Sequence, residues 1–179
     1  MLAGTAEDIC EIETPDHVQM REKVLWDPAI EKIIKKNENA ILKVFRKFKQ
    51  DGEDPNKLQA GDYITLKNFK LILSRSGLDF GDKLVNASVC ASKMTITYEW
   101  DASQNQYRDR LVYGEFLESI LRVIHAYFEG SEQQELSFRE KVLICLGKIT
   151  QQSGLPFLVE PEAYEQVFSD SDCESTCLE

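Results

Sequence analysis

The chain has 179 residues, of which 42% are hydrophobic and 29% are charged, and its formal net charge is −10. These proportions are typical of a globular protein and are too apolar for disorder along the whole chain. No apolar run approaches the roughly 20 residues that cross a bilayer, and the first residues are acidic where a signal peptide would be basic. The composition therefore predicts a cytoplasmic protein without a membrane span.

The negative charge is concentrated at the two ends of the chain. Neither residues 1–16 nor residues 160–179 contain a lysine or an arginine, so the body between them is close to neutral. Acidic termini of this kind are usually mobile. We predict a flexible acidic N-terminal segment over 1–26, a helical domain with flanking helices over 27–150, and a C-terminal short helix with an acidic tail over 151–179. The overall acidity and the lack of a reader motif argue against nucleic acid as a partner.

Local signals predict the first helices. Asp27 can cap free amides and Pro28 suits the first helical position, so a short helix should run from there to Lys36. A second helix is predicted over Asn39–Lys49, where apolar residues recur every three or four positions. The stretch Gln50–Asp62 is predicted to be a loop, because it contains several turn-forming pairs with glycine or proline.

The middle of the chain predicts one clear helix and one weak helix. The clear helix runs from Thr65, a suitable cap, to Ser76, with Gly77 as its terminator. The weak helix is Leu84–Met94, because its β-branched and serine residues lower the intrinsic propensity. The next stretch, Thr95–Trp100, alternates branched and aromatic residues and is predicted as a short strand or as extended chain.

The last third of the chain predicts three more helices. A polar loop, Asp101–Arg110, precedes the strongest helix, Val112–Phe128, whose apolar residues form one continuous face. Ser137–Thr150 is predicted as another amphipathic helix and Pro161–Phe168 as a short last one. The predicted fold class is therefore mainly α.

Two segments of the chain look alike when one is laid over the other. Ile64–Phe69 stands 47 positions before Leu111–Phe116. In each segment a branched apolar residue precedes a helix, and a phenylalanine follows that residue five positions later. A polar loop and another helix come before each segment. Helix–loop–helix, repeated twice, is the outline of an EF-hand pair.

The chain resembles degenerate EF-hand proteins over roughly residues 38–128. The matching flanks are Val44–Phe48, Ile64–Leu73 and Leu111–Leu121. In that family the eighth loop residue pairs with its counterpart in the partner hand through a short β-bridge, and the resemblance gives this role to Ile64 and Leu111. The resemblance implies an EF-hand-like pair of helix-loop-helix units with flanking helices and acidic flexible termini.

Both loops depart from the calcium-binding pattern of the family. A calcium loop places oxygen ligands at positions 1, 3, 5 and 12, with glycine at position 6. With Ile64 as position 8, the first loop has Lys57 at position 1 and Asn68 at position 12. With Leu111 as position 8, the second loop keeps only Glu115, at position 12. The loops therefore predict no calcium site of ordinary affinity.

One non-standard metal site remains open in the second loop. Asp101, Ser103 and Asn105 alternate as metal ligands would, although a polar turn has the same composition. The candidate metal ligands are Asp101, Ser103, Asn105 and Glu115. Otherwise the sequence predicts no cofactor. Glu115 and Glu118 are one turn apart, which on a polar helix face is commonplace rather than a sign of an acid–base pair.

A group of bases on the first two predicted helices forms the candidate partner-binding site. Its members are Lys32, Lys35, Lys36, Lys43, Arg46 and Lys47. They are either a solvated helix face or a basic patch for an acidic protein surface, such as the tails of tubulin or another axonemal or cytoskeletal protein. The sequence contains no nucleophile signature and no phosphate-binding glycine loop. We therefore predict no catalytic residue and no enzyme activity.

These observations predict a non-catalytic adaptor or structural protein. The helix around Glu115–Glu118, with its long preceding loop, is similar to those of several EF-hand-like proteins of cilia and flagella. That resemblance implies a component of a cytoskeletal assembly, located in the cytoplasm, on the cytoskeleton or in a cilium or flagellum. The alternative is a calcium-responsive sensor using the second loop, which would need several carboxylates around Glu115.

Overall fold

The computed structural model describes residues 18–49, 62–96, 109–128 and 135–159. Within these ranges the protein is mainly helical with a small two-stranded sheet, which confirms the predicted fold class at that level. The elements are α1 (Pro28–Lys36), α2 (Glu38–Phe48), β1 (Tyr63–Thr65), α3 (Leu66–Arg75), α4 (Asp82–Ile96), β2 (Arg110–Val112), α5 (Tyr113–Tyr127) and α6 (Phe138–Thr150).

The described chain begins with a helical segment that packs on the core. Residues 18–20 are helical and lead into a π-helical turn, Arg21–Leu25, which contacts α5. Leu25 is fully buried, and the N–H of Trp26 donates to the carbonyl of Arg21 at 3.1 Å. Residues 18–26 belong to the segment predicted to be flexible, but in the structure they are anchored by this burial. The rest of that segment lies outside the described residues.

The predicted helix starts agree with the observed caps. The Asp27 carboxylate accepts a hydrogen bond from the N–H of Ala29 at 2.7 Å, and Pro28 is the first residue of α1. At the start of α3, Thr65 Oγ1 accepts from the N–H of Asn68 at 3.1 Å. Each cap satisfies an amide that has no partner inside its helix, which fixes where the helix begins.

The end of α3 confirms the predicted glycine terminator. Gly77 has a φ of 68°, and its N–H donates to the carbonyl of Ser74 at 3.0 Å. The N–H of Leu78 donates back to the carbonyl of Leu73 at 3.2 Å. This pair of bonds is a Schellman motif, which requires a left-handed residue at the position that Gly77 occupies.

The prediction of a strand or extended chain over Thr95–Trp100 is wrong in its described part. The helix α4 continues through Ile96, and residues 97–100 lie outside the described ranges. This helix packs along α5, and such tertiary packing outweighs the low helix propensity of branched residues. Arg110, predicted as part of a polar loop, lies in β2.

The sheet joins the two helix–loop–helix segments. Its strands are antiparallel, and Ile64 stands opposite Leu111 in the register. Both side chains are fully buried. The pairing that the resemblance assigned to these two residues is therefore present. One further bond, from the N–H of Leu66 to the carbonyl of Asp109, extends the ladder toward α3.

Three phenylalanines meet directly behind the sheet. The ring centroid of Phe116 lies 5.3 Å from that of Phe45 and 5.9 Å from that of Phe69, and all three side chains are fully buried. Leu117 is 9% exposed and belongs to the same core. The sequence predicts these four residues on the apolar faces of their helices, and the structure confirms that they share one core.

The C-terminal part of the described chain closes the core from the other side. Helix α6 packs against α1, α2, α3 and α5, and a 3₁₀ turn, Gln151–Ser153, follows it. Beyond that turn the buried Asn37 side chain accepts a hydrogen bond from the N–H of Leu158 at 2.7 Å and donates to its carbonyl at 3.0 Å. The predicted helix over Pro161–Phe168 lies outside the described residues.

The aromatic cluster generates the first prediction. Phe116→Ala should lower the free energy of unfolding by about 3–5 kcal/mol, because it empties the centre of a packed core. Urea denaturation followed by circular dichroism measures the change. Leu71→Ala is the matched control, since Leu71 is 38% exposed and its truncation should cost less than about 1 kcal/mol. Equal costs for the two variants would contradict the observed packing.

Candidate functional site

The end of the second loop is built around Glu115 in the first turn of α5. Its side chain is buried, with the residue only 4% exposed, and Oε2 accepts a hydrogen bond from the N–H of Val112 at 3.0 Å. Val112 is the N-cap residue of α5, so the carboxylate satisfies one of the free amides at the helix start. A negative charge at this end is also stabilised by the helix dipole.

A lysine from the preceding helix reaches the same carboxylate. Lys93 lies in the last turn of α4, and its Nζ is 3.1 Å from Glu115 Oε2. The same ammonium donates to the backbone carbonyl of Arg110. The side chains of Lys93 and Glu115 are 8% and 6% exposed. The pair is therefore shielded from water, where a charge interaction is stronger than on the surface.

The two groups that bind Lys93 occupy calcium-ligand positions of the EF-hand numbering. With Leu111 as loop position 8, the Arg110 carbonyl is at position 7 and Glu115 is at position 12. Position 7 supplies a backbone oxygen to calcium, and position 12 supplies the bidentate carboxylate. In this structure a lysine ammonium contacts both. The described part of the second loop therefore does not fit a calcium ion.

The remaining predicted metal ligands cannot be placed. Asp101, Ser103 and Asn105 lie outside the described residues. Among the residues that the structure describes, no group of three or more histidine, cysteine, aspartate or glutamate side chains could hold a metal ion. Of the four candidate ligands, Glu115 alone is described, and its partners include Lys93.

The first loop has a comparable lysine–carboxylate pair. Lys49 directly follows α2, and its Nζ lies 2.8 Å from Asp62 Oδ2, with side chains 5% and 2% exposed. At position 12 of this loop the Asn68 amide donates to the carbonyl of Phe48 at 2.8 Å. The Lys49–Asp62 pair joins the end of α2 to the residue before β1, and the Asn68 amide joins the end of α2 to the first turn of α3.

A second buried charge cluster lies one turn further along α5. Glu118 is fully buried, although its spacing from Glu115 on a polar-looking face gave no sign of this. Its Oε1 accepts from Arg122 Nη2 at 2.8 Å and its Oε2 accepts from Arg21 Nε at 2.7 Å. Arg122 is itself 3% exposed. The cluster ties the N-terminal helical turn to α5.

Helix α6 covers the apolar faces of the paired segments. Its inward residues are all 1% exposed or less: Val142, Cys145, Leu146 and Ile149. Just beyond it, Gln152 Nε2 donates to the Ile72 carbonyl at 2.8 Å and to Ser76 Oγ at 2.6 Å. Within the described residues, α6 therefore covers these apolar faces from solvent.

The predicted basic patch lies on α1 and α2. Its exposed members are Lys32, Lys35, Lys36, Lys43 and Lys47, whereas Arg46 is half-buried. Lys35 pairs with Glu31 at 2.8 Å, and Lys47 Nζ donates to the carbonyl of Gln152 at 3.4 Å. Lys32 and Lys36 line a shallow groove beside Leu158. That these bases bind a partner stays a prediction.

Sequence reasoning missed both Lys93 and Glu118. Lys93 follows four small or branched residues, Val89–Ser92, which are all buried in the structure. A single base at the end of an otherwise apolar and small-residue helix face is the signal that could have indicated a buried ammonium. Glu118 has Arg122 four positions later on the same helix, but its other partner, Arg21, is 97 positions away and leaves no local signal.

Comparisons with known proteins identify no relative of this chain. No family model matches the sequence, and neither the search of curated proteins nor the search of solved structures returned a match. None of the helices in the described ranges combines the length and the apolar character that a membrane span requires. Function is therefore argued from the chain's own residues.

The Glu118 cluster generates the second prediction. Arg122→Met keeps the length of the side chain but leaves Glu118 with one guanidinium fewer, so the free energy of unfolding should fall by about 3–5 kcal/mol. The denaturant guanidinium chloride is a salt and would screen these charges, so the free energy of unfolding should be measured by urea denaturation. Lys35→Met, which breaks an exposed pair on α1, should leave stability nearly unchanged. A loss no greater than that of the control would show that the buried cluster contributes nothing.

Proposed function

We propose that this chain is a non-catalytic adaptor or structural protein with a degenerate EF-hand-like core, acting in a cytoskeletal assembly of the microtubule or ciliary kind. The observation that carries the proposal is the combination of a closed core and exposed bases. The core is closed by α6, and the bases lie outside it on α1 and α2.

The EF-hand-like part of the proposal is supported by the equivalence of the two segments. Ile64 and Leu111 face each other in the sheet, and Thr65 and Val112, the next residues, are the N-caps of α3 and α5. The phenylalanines that follow, Phe69 and Phe116, pack with centroids 5.9 Å apart. Three matched positions at one sequence offset are what a pair of related helix–loop–helix units would produce.

The non-catalytic part is supported by the state of the described reactive groups. Burial raises the pKa of the Cys145 thiol to about 11, so this thiol stays protonated and weakly nucleophilic near neutral pH. His125 is half-buried and packs edge-on against the ring of Phe138 at 5.4 Å. Glu115 and Glu118 are each engaged by a basic side chain, Glu115 by Lys93 and Glu118 by Arg122.

The partner follows from the charge on α1 and α2. A concentration of lysines on adjacent short helices creates a positive local field, to which a flexible acidic segment is attracted at long range. The acidic tails of tubulin have this chemistry. The attraction should be sensitive to salt, because exposed charges are screened over about 10 Å at 0.1 M ionic strength.

The third prediction tests this function by cosedimentation with microtubules. The native protein should pellet with them at low salt and should stay in the supernatant when protease treatment has removed the tubulin tails. A variant with Lys35, Lys36, Lys43 and Lys47 changed to Glu should lose about tenfold or more of its affinity, because attraction becomes repulsion. Circular dichroism should show that this variant keeps its helical content.

A matched variant controls for total charge. Lys23, Lys67, Lys83 and Lys148 are exposed lysines outside α1 and α2, and changing all four to Glu gives the same net charge. This variant should pellet nearly as well as the native protein. If both variants lose microtubule affinity equally, the attraction depends on net charge and not on where the lysines lie. If the variant with reversed α1–α2 lysines still binds microtubules, these lysines are not the binding site.

A further inference from the structure

We propose that the second helix–loop–helix unit carries its own cation, the ammonium of Lys93, in the place where an EF-hand would hold calcium. The proposal rests on the EF-hand-like pairing proposed above and deepens it, because it explains how the unit is held without a metal. It predicts that the unit does not respond to calcium, which is the opposite of what the sensor alternative predicts.

The first support is the identity of the groups that meet the ammonium. An ordinary surface salt bridge joins a lysine to a carboxylate alone. Lys93 instead contacts the Glu115 carboxylate at 3.1 Å and the backbone carbonyl of Arg110. These are one side-chain oxygen and one main-chain oxygen, at the positions 12 and 7 from which the loop would coordinate calcium.

The second support is where Lys93 comes from. It lies in the last turn of α4, the helix that enters the loop, and Glu115 lies in the first turn of α5, the helix that leaves it. The link therefore spans the loop and fixes the two helices relative to each other. Calcium does the same in an EF-hand by binding loop residues and the first turn of the leaving helix.

The third support is energetic. Burying an ammonium or a carboxylate alone costs several kilocalories per mole, and here each buried charge lies 3.1 Å from the opposite one. A calcium ion approaching Glu115 would meet the ammonium of Lys93 in front of it and would be repelled. The residue that stabilises the loop is therefore also the residue that excludes the metal.

The experiment measures melting temperature with and without 5 mM CaCl₂. The native protein should melt at the same temperature in CaCl₂ and in EDTA. Lys93→Met should melt lower than the native protein in EDTA, and CaCl₂ should raise its melting temperature by about 3 °C, as millimolar affinity implies. The double variant Lys93→Met, Glu115→Gln should lose this response, because the carboxylate that would bind the ion is gone.

A control variant and a second measurement complete the experiment. Lys67→Met removes an exposed lysine from α3 and should show no response to calcium. If Lys93→Met does not fold, reductive methylation of the native protein gives the answer: Lys93 should be modified at least about tenfold more slowly than Lys67, because its ammonium is buried and bonded.

Three results would overturn the proposal. They are stabilisation of the native protein by CaCl₂, no response to calcium in a folded Lys93→Met variant, and methylation of Lys93 as fast as Lys67. None of these readouts involves a partner, so a failure here is distinguishable from a failure of the microtubule experiment. The reverse also holds, since the lysines changed there lie on α1 and α2.

Discussion

The pairing of Ile64 with Leu111 is the constraint from which the rest of the fold follows. Two short strands far apart in sequence are held antiparallel, and the helix that follows each strand starts directly from it. The starts of α3 and α5 are therefore brought together, so Phe69 and Phe116 must pack against each other. A ladder of three residue pairs is weak alone, and it persists here because both central side chains are buried in the core.

Each of the two helix–loop–helix segments that the sheet joins contains a buried pair of opposite charges among its described residues. Lys93 with Glu115, and Lys49 with Asp62, place an ammonium and a carboxylate in almost water-free surroundings, with one pair in each unit. A metal ion can leave or be exchanged, whereas a lysine is always present. The proposed structural role is consistent with a core held in this way and with the packing of α6 over the apolar faces.

The sequence predicted the features of the fold that are determined by residues close together along the chain. Asp27 and Thr65 as caps and Gly77 as a terminator follow from local backbone chemistry, and the resemblance to EF-hand proteins implied that Ile64 pairs with Leu111. The sequence did not predict the features that depend on contacts between residues far apart along the chain. Glu118 contacts Arg122 within one helical turn, but it also contacts Arg21, nearly a hundred residues away, and no periodic pattern records that second contact. The extent of α4 was likewise decided by packing against another helix rather than by propensity.

The central claim is that two helix–loop–helix units are joined through β1 and β2 without calcium, and amide hydrogen exchange tests it most directly. Exchange should be measured residue by residue over Tyr63–Leu66 and Arg110–Val112, first in EDTA and then in 5 mM CaCl₂. The account predicts slow exchange of the Leu66 amide, which donates to Asp109, and the same protection pattern in both solutions. Fast exchange over both strands in EDTA, with protection appearing only after calcium is added, would contradict it.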